Sequence, residues 1–287
     1  MTLTPVVQAE WLLRHLHDPG VRVLDASWYL SASSRDPRAE FRAGHVPGAQ
    51  LFSIDAASDA TSPLPHTLPP ASQFADYASS LGISTDDHVV VYDASGVNFS
   101  APRAWWTFRF FGHDRVSVLD GGLAAWKAAG GPLETGDAVP PARGAFAAVS
   151  RTRMLRTAAA VHDAQQQGSA QVVDMRSRGR FEGSEPEPRA GLRSGHIPGS
   201  RNLPYATLVD EHGLLHGRES LRSLMAEAGV DISRPVIATC GSGVTACTLL
   251  LALDVLGVTD AALFDGSWTE WGQRAEFPVE SGPPRQG

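Results

Sequence analysis

Two cysteines stand in the chain of 287 residues, and Cys240 occupies a setting in which a thiol can act as a nucleophile. It follows Pro235-Val236-Ile237-Ala238-Thr239, a short, β-branched run after a proline, which reads as a buried strand. It precedes Thr245 to Leu256, an apolar stretch too long for a strand, which reads as a buried helix stopped by Gly257. The loop between them, Gly241-Ser242-Gly243-Val244, is built of small residues. Two glycines let the backbone fold tightly, so that the amide N–H groups of residues 241 to 245 can converge on one spot. The helix start adds its own preference for an anion. A thiol placed there is expected to ionise readily and to attack an electrophile. The plain alternative is an inert, buried cysteine in a βα turn.

The elements that must hold this loop occur twice. Val21-Arg22-Val23-Leu24-Asp25 recurs as Ala170-Gln171-Val172-Val173-Asp174, and Gly44-His45-Val46-Pro47-Gly48 recurs as Gly195-His196-Ile197-Pro198-Gly199. Val89 to Val97 matches Val236 to Val244, and Leu119-Asp120-Gly121-Gly122 matches Phe264-Asp265-Gly266-Ser267. Within each half short apolar strands alternate with helical segments, expected at 71–81, 101–111, 124–129, 158–166, 219–228 and 245–256. The pattern predicts an α/β protein of two tandem domains, each a mainly parallel sheet flanked by helices. The domains are placed at 1–135 and 151–287, with a Gly- and Pro-rich linker at 136–150 and a frayed tail at 281–287. The first half carries Asp93 where the second carries Cys240. A carboxylate cannot perform sulfur chemistry, so the first domain reads as an inactive copy.

The run Cys240-Gly241-Ser242-Gly243-Val244-Thr245-Ala246 resembles the active loop of the 3-mercaptopyruvate sulfurtransferases, within the rhodanese superfamily, and the resemblance extends over nearly the whole chain. It implies two rhodanese-like domains, the first inactive and helping to close the site. It implies that Cys240 takes sulfur from 3-mercaptopyruvate as a persulfide, releases pyruvate, and passes the sulfur to a thiol or to cyanide. The amides of Gly241, Ser242, Gly243, Val244 and Thr245 would steady the charged sulfur. Gly241 and Ser242 are uncharged where the related thiosulfate sulfurtransferases carry cations, which favours mercaptopyruvate as donor. Ser242 is read as a proton relay to the departing enolate, or else as a loop cap. Arg180 and Arg189 match the family's substrate-binding pair, whose planar forks suit a carboxylate; the alternative is a solvated charged loop that also holds Arg176, Arg178 and Arg193. His45 resembles a histidine that pairs with the loop serine, oriented by Asp36 or Glu40, although His196 in the equivalent turn favours a structural role. Cys247 is read as helix packing, and Trp268 and Trp271 as wall and core.

Composition narrows the classes further. A net charge of −7 provides no basic surface for nucleic acid or for an anionic membrane. No apolar run is long enough to span a bilayer, and the N-terminal residues lack the pattern of a secretory leader. Two cysteines seven residues apart suggest neither a disulfide framework nor a metal site, and no phosphate-binding glycine fingerprint occurs, so no cofactor is expected. A reducing cytoplasm is the expected compartment, with an acceptor such as thioredoxin, a small thiol or cyanide. A phosphatase built on this loop would need an arginine where Ala246 stands. A thiosulfate-preferring enzyme and a persulfide carrier that only holds sulfur for a partner remain as competing readings.

Overall fold

In a computed structural model that describes residues 4–30 and 33–284, the chain divides into two compact units. Unit 1 comprises Met1–Ala60, Leu68–Arg151 and Val209–Leu215; unit 2 comprises Thr61–Thr67, Thr152–Leu208 and His216–Gly287.

Unit 1 runs β1 (Val6–Val7), α1 (Ala9–His15), β2 (Val21–Asp25), α2 (Pro37–Ala43), β3 (Gln50–Leu51), α3 (Ala71–Ser80), β4 (His88–Tyr92), α4 (Ala101–Phe110), β5 (Val116–Leu119) and α5 (Gly122–Ala128). Unit 2 runs β6 (Leu155–Arg156), α6 (Ala158–Gln167), β7 (Gln171–Asp174), α7 (Arg178–Glu182), β8 (Arg201–Asn202), α8 (Arg218–Glu227), β9 (Val236–Thr239), α9 (Ala246–Leu256), β10 (Ala261–Phe264) and α10 (Ser267–Trp271). Each unit holds a five-stranded sheet, ordered β1-β5-β4-β2-β3 in the first and β6-β10-β9-β7-β8 in the second. Every strand pair is parallel. The two orders are the same once equivalent strands are matched.

Both faces of each sheet are covered, which is why the central strands are apolar without alternation. In unit 1, β4 is buried along its whole length. Val90 and Tyr92 pack with Leu12 of α1, Phe41 of α2 and Trp126 of α5. On α3 and α4, Phe74 and Phe108 meet edge to face at 5.2 Å. In unit 2, Val161 of α6, Ile237 of β9, Phe264 of β10 and Trp271 of α10 share one core. Helix α9 is buried at nine of its 11 residues, and Gly257 ends it in a left-handed C-cap with φ +84°.

Two expectations about chain organisation need revision. The segment 136–150 is an ordered part of unit 1 rather than a free linker. Phe146 is buried at the edge of the Phe74 and Phe108 rings. Its backbone N–H donates to Ser79 Oγ, and the Gly144 N–H donates to the Ser79 carbonyl. The expected frayed tail is tied down at Gly282, whose N–H donates to the Glu182 carbonyl at 2.8 Å, while 285–287 lie outside the described residues.

Candidate active site at the carboxyl end of β9

A cavity at the edge of a parallel sheet forms where successive crossovers leave on opposite faces. In unit 2 the chain moves one way from β6 through β7 to β8, then reverses through β9 to β10. Right-handed crossovers then place α6 with α10 on one face and α8 with α9 on the other, as their contacts show. The reversal lies between β7 and β9. Their carboxyl ends carry the loop of Arg176 and Arg180 and the loop of Cys240.

Cys240 directly follows β9 and is buried, with 1% of its surface exposed. The carbonyls of its loop turn away from the site: Cys240 O accepts from Trp268 N at 3.0 Å and Gly241 O from Thr269 N at 2.9 Å. The Thr269 hydroxyl also donates to Gly241 O, at 2.7 Å. Amide N–H groups point opposite to carbonyls in a tight turn, so this fastening orients them as a cradle. Among the described residues, the N–H groups of Gly241, Ser242, Val244 and Thr245 make no hydrogen bond to a backbone carbonyl. Gly243 supplies the turn with φ +78°. Thr245 is the N-cap of α9 rather than its first residue. Cys247 is fully buried within α9 and donates its thiol to the Gly243 carbonyl at 3.4 Å, so it braces the loop from beneath.

The second loop brings a chain of alternating charge to the first. Arg176, 1% exposed, forks onto Asp174 at the end of β7 and donates through Nη1 to Glu187 at 2.7 Å. The same guanidinium lies 4.3 Å from the Trp268 ring and donates to the Gly195 carbonyl. Glu187 accepts in turn from Arg180 Nη2 at 2.6 Å and Nε at 3.2 Å. A Cβ built on Gly241 would meet Arg180 Nη2 at 2.9 Å, so this guanidinium lies directly against the cysteine loop. An arginine has five N–H donors, and Glu187 engages two nitrogens along one edge. The edge between Nη1 and Nη2 is not engaged by Glu187 and has the fork geometry that suits a carboxylate. Arg189 is half-buried in the same loop, two residues past Glu187. Arg193, by contrast, spends its guanidinium on the carbonyls of Gly272, Trp271, Arg274 and Phe277, a structural task.

Ser242 has a histidine partner, but not His45. His66 Nδ1 lies 3.0 Å from Ser242 Oγ, with both side chains buried. In the Nδ1–H tautomer the ring donates to the serine oxygen and leaves the hydroxyl proton free to be given away, a geometry suited to a short proton relay. His66 has φ +62°, an uncommon conformation for a residue with a side chain. His45 instead stacks on Phe41 at 3.7 Å, donates from Nδ1 to the Phe41 carbonyl, and turns Nε2 toward Glu134 at 3.8 Å. His196 repeats the arrangement with Phe181 and Glu280. A geometry repeated in both units belongs to the turn. Asp36 does not orient His45; it is the N-cap of α2 and accepts from Arg38 N and Ala39 N. Glu40 is taken by Tyr29 and Arg35. The signal missed was a lone histidine inside the proline-rich Ser62-Pro63-Leu64-Pro65-His66-Thr67-Leu68-Pro69-Pro70, which has no counterpart in the second half.

In unit 1 the equivalent loop is filled from within. One oxygen of Asp93 accepts from the N–H and hydroxyl of Ser95; the other accepts from Ser100 N, Ser100 Oγ and Ala101 N. The carboxylate thus occupies the anion cradle that its own backbone makes. Among the described residues no group of three or more His, Cys, Asp or Glu side chains is placed to hold a metal ion. None of the described helices is long and apolar enough to cross a membrane.

Comparison with known proteins agrees with this duplicated architecture. The rhodanese-like domain model matches residues 8–129 and again 157–274. A 3-mercaptopyruvate sulfurtransferase from Homo sapiens is 46% identical over 94% of this chain and 92% of its own length. A thiosulfate sulfurtransferase from Cricetulus griseus is 45% identical over 94% and 92%. The crystal structure of SseA from Escherichia coli, described as a 3-mercaptopyruvate sulfotransferase, superposes with a TM-score of 0.84 at 41% identity, covering 93% of this chain and 99% of that one.

Proposed function

The chain belongs to the rhodanese family in both of its halves, and from that premise we propose that it is a sulfurtransferase taking sulfur from 3-mercaptopyruvate through Cys240. The observation that carries the reading is the Arg180 guanidinium seated against Gly241, beside the nucleophile. Relatives named for either donor are about equally similar, so overall identity does not choose between donors. The loop does. A dianion such as thiosulfate calls for cations at 241 and 242, whereas this chain has glycine and serine there. A keto acid needs one carboxylate grip at a distance from the sulfur, which Arg180, with Arg189 as its expected partner, is suited to make.

The Cys240 thiolate attacks the sulfur of 3-mercaptopyruvate, the S–S bond forms as the S–C bond breaks, and the electron pair leaves on carbon as pyruvate enolate. Ser242 gives the enolate its proton, and His66 passes a proton to the serine oxygen. The loop amides hold the negative persulfide until a second thiolate or cyanide attacks the outer sulfur and releases Cys240. Neither Cys240 nor Cys247 is in a disulfide, which suits a reducing compartment such as the cytoplasm and an acceptor such as thioredoxin or a small thiol. The test is steady-state kinetics with 3-mercaptopyruvate and thiosulfate in parallel, with cyanide as acceptor and Cys240→Ser as control. Strong preference for mercaptopyruvate, abolished in the variant, is the expected result; preference for thiosulfate would overturn the donor. Weak turnover of both, with a stable persulfide on Cys240, would favour the carrier.

A further inference from the structure

Ser267 has φ +49°, in the left-handed region that favours glycine. The repeat shows what the fold alone asks for at this position. The equivalent residue in unit 1 is Gly122, with φ +55°, and a Cβ there would come within 2.3 Å of the Asp93 carbonyl. The surroundings match in both units. Leu123 N donates to Asp93 O at 3.0 Å, and Trp268 N donates to Cys240 O at 3.0 Å. Unit 2 nevertheless carries a side chain where unit 1 has none. That side chain is fully buried and its hydroxyl is doubly used: it donates to Phe264 O at 2.8 Å and accepts from the backbone N–H of Cys240 at 3.2 Å.

We infer that Ser267 is a positioning residue for the nucleophile, retained at a strained backbone position because its hydroxyl fixes the amide of Cys240. With the Cys240 N–H on Ser267 and the Cys240 and Gly241 carbonyls on the start of α10, three backbone groups of the loop are fastened. The loop amides that follow are thereby turned toward the sulfur. Strain retained beside a reacting group, and absent from the copy that does no chemistry, is the pattern of a functional constraint. Ser267 acts through the backbone of Cys240 and makes no contact with substrate in this role. The inference rests on Cys240 being the nucleophile.

The test compares Ser267→Gly and Ser267→Ala in the full chain. Both variants lose the hydroxyl's hydrogen bonds, but glycine relieves the left-handed residue while alanine keeps the strain, so Ser267→Gly is expected to melt higher than Ser267→Ala. Both lose the hydroxyl, and both are expected to lose kcat about tenfold, the kinetic equivalent of one hydrogen bond. KM for 3-mercaptopyruvate is expected to stay within about twofold, because carboxylate binding belongs to another loop. Alkylation of Cys240 by iodoacetamide, located on that residue by fragmentation, is expected to slow in step with kcat and needs no sulfur donor. Wild-type kcat and alkylation in Ser267→Gly would overturn the inference. So would a loss confined to Ser267→Ala that merely tracks its lower melting point. An inactive wild type would refute the functional reading alone, leaving the alkylation rates to decide on Ser267.

Discussion

Arg180 cannot hold its place by itself, since a long side chain loses rotamer entropy when fixed. Glu187 fixes it, and Glu187 is in turn fixed by buried Arg176. Glu187→Gln keeps the shape and one acceptor but removes the charge that pairs both arginines. It is expected to raise KM for 3-mercaptopyruvate about tenfold, with kcat changed far less, because the lost interaction is one made equally in ground and transition states. Equal KM for wild type and variant would show that Arg180 is placed by something else. The proton relay yields a second expectation at this scale. If Ser242 and His66 act as one unit, Ser242→Ala, His66→Ala and the double variant should lose similar factors in kcat; multiplicative losses would separate them. What was legible here was contiguous in sequence: Cys240 with its loop, and the arginines in one short segment. His66 was not, because it meets Ser242 across 176 residues and no spacing rule reaches that far. His45 misled for the opposite reason. Its Gly-His-Val-Pro-Gly setting is conspicuous, yet the setting is that of a turn in which Phe41 and Glu134 engage the ring.

Helices and strands were readable wherever apolar periodicity or a buried β-branched run specified them. Helices α3, α4, α6, α8 and α9 lie within about two residues of expectation. The segment 136–150 was not readable, since its glycines and prolines lack periodicity and its order is supplied entirely by the surface it lies on. Phe146 is its anchor, assisted by bonds from Ala145 N to Ser84 Oγ and from Ala147 N to Thr85 Oγ1. Gly144 is required there by close approach rather than by its φ, because a Cβ would meet the Ile83 carbonyl at 2.1 Å. Phe146→Ala is therefore expected to destabilise by about 3 kcal/mol in denaturant unfolding, as for a buried ring in a core. A free linker would tolerate the change at no cost.

At the scale of the whole molecule the duplication was plain in sequence, but the repeats solve one electrostatic problem differently. Each central strand beside the nucleophile position ends in a buried aspartate. In unit 2 Asp174 is neutralised by the Arg176 fork; in unit 1 the residue equivalent to Arg176 is Ser27, whose N–H is bonded to Asp25 but carries no charge. Burial accordingly pushes the Asp25 carboxyl from 3.8 up to about 6. The unfolded chain releases that proton first, so between about pH 4 and 6 this residue makes stability fall as pH rises. His88 in the same unit works the other way. Burial pushes it from 6.5 down to about 4, and the unfolded chain takes up its proton first. Its contribution, present above pH 6.5, is lost as pH falls toward 4. Each shift corresponds to about 3 kcal/mol, and the two slopes oppose one another over the same interval. Unit 1 is thus expected to change little in stability between about pH 4 and 6 through these two groups together. Asp25→Asn removes one arm. The variant should be more stable than the wild type at pH 7, by up to about 3 kcal/mol, and its advantage should shrink to nothing near pH 4. Denaturant unfolding at the two pH values measures this directly, and an advantage that did not vary with pH would mean that the carboxyl is not held protonated by burial.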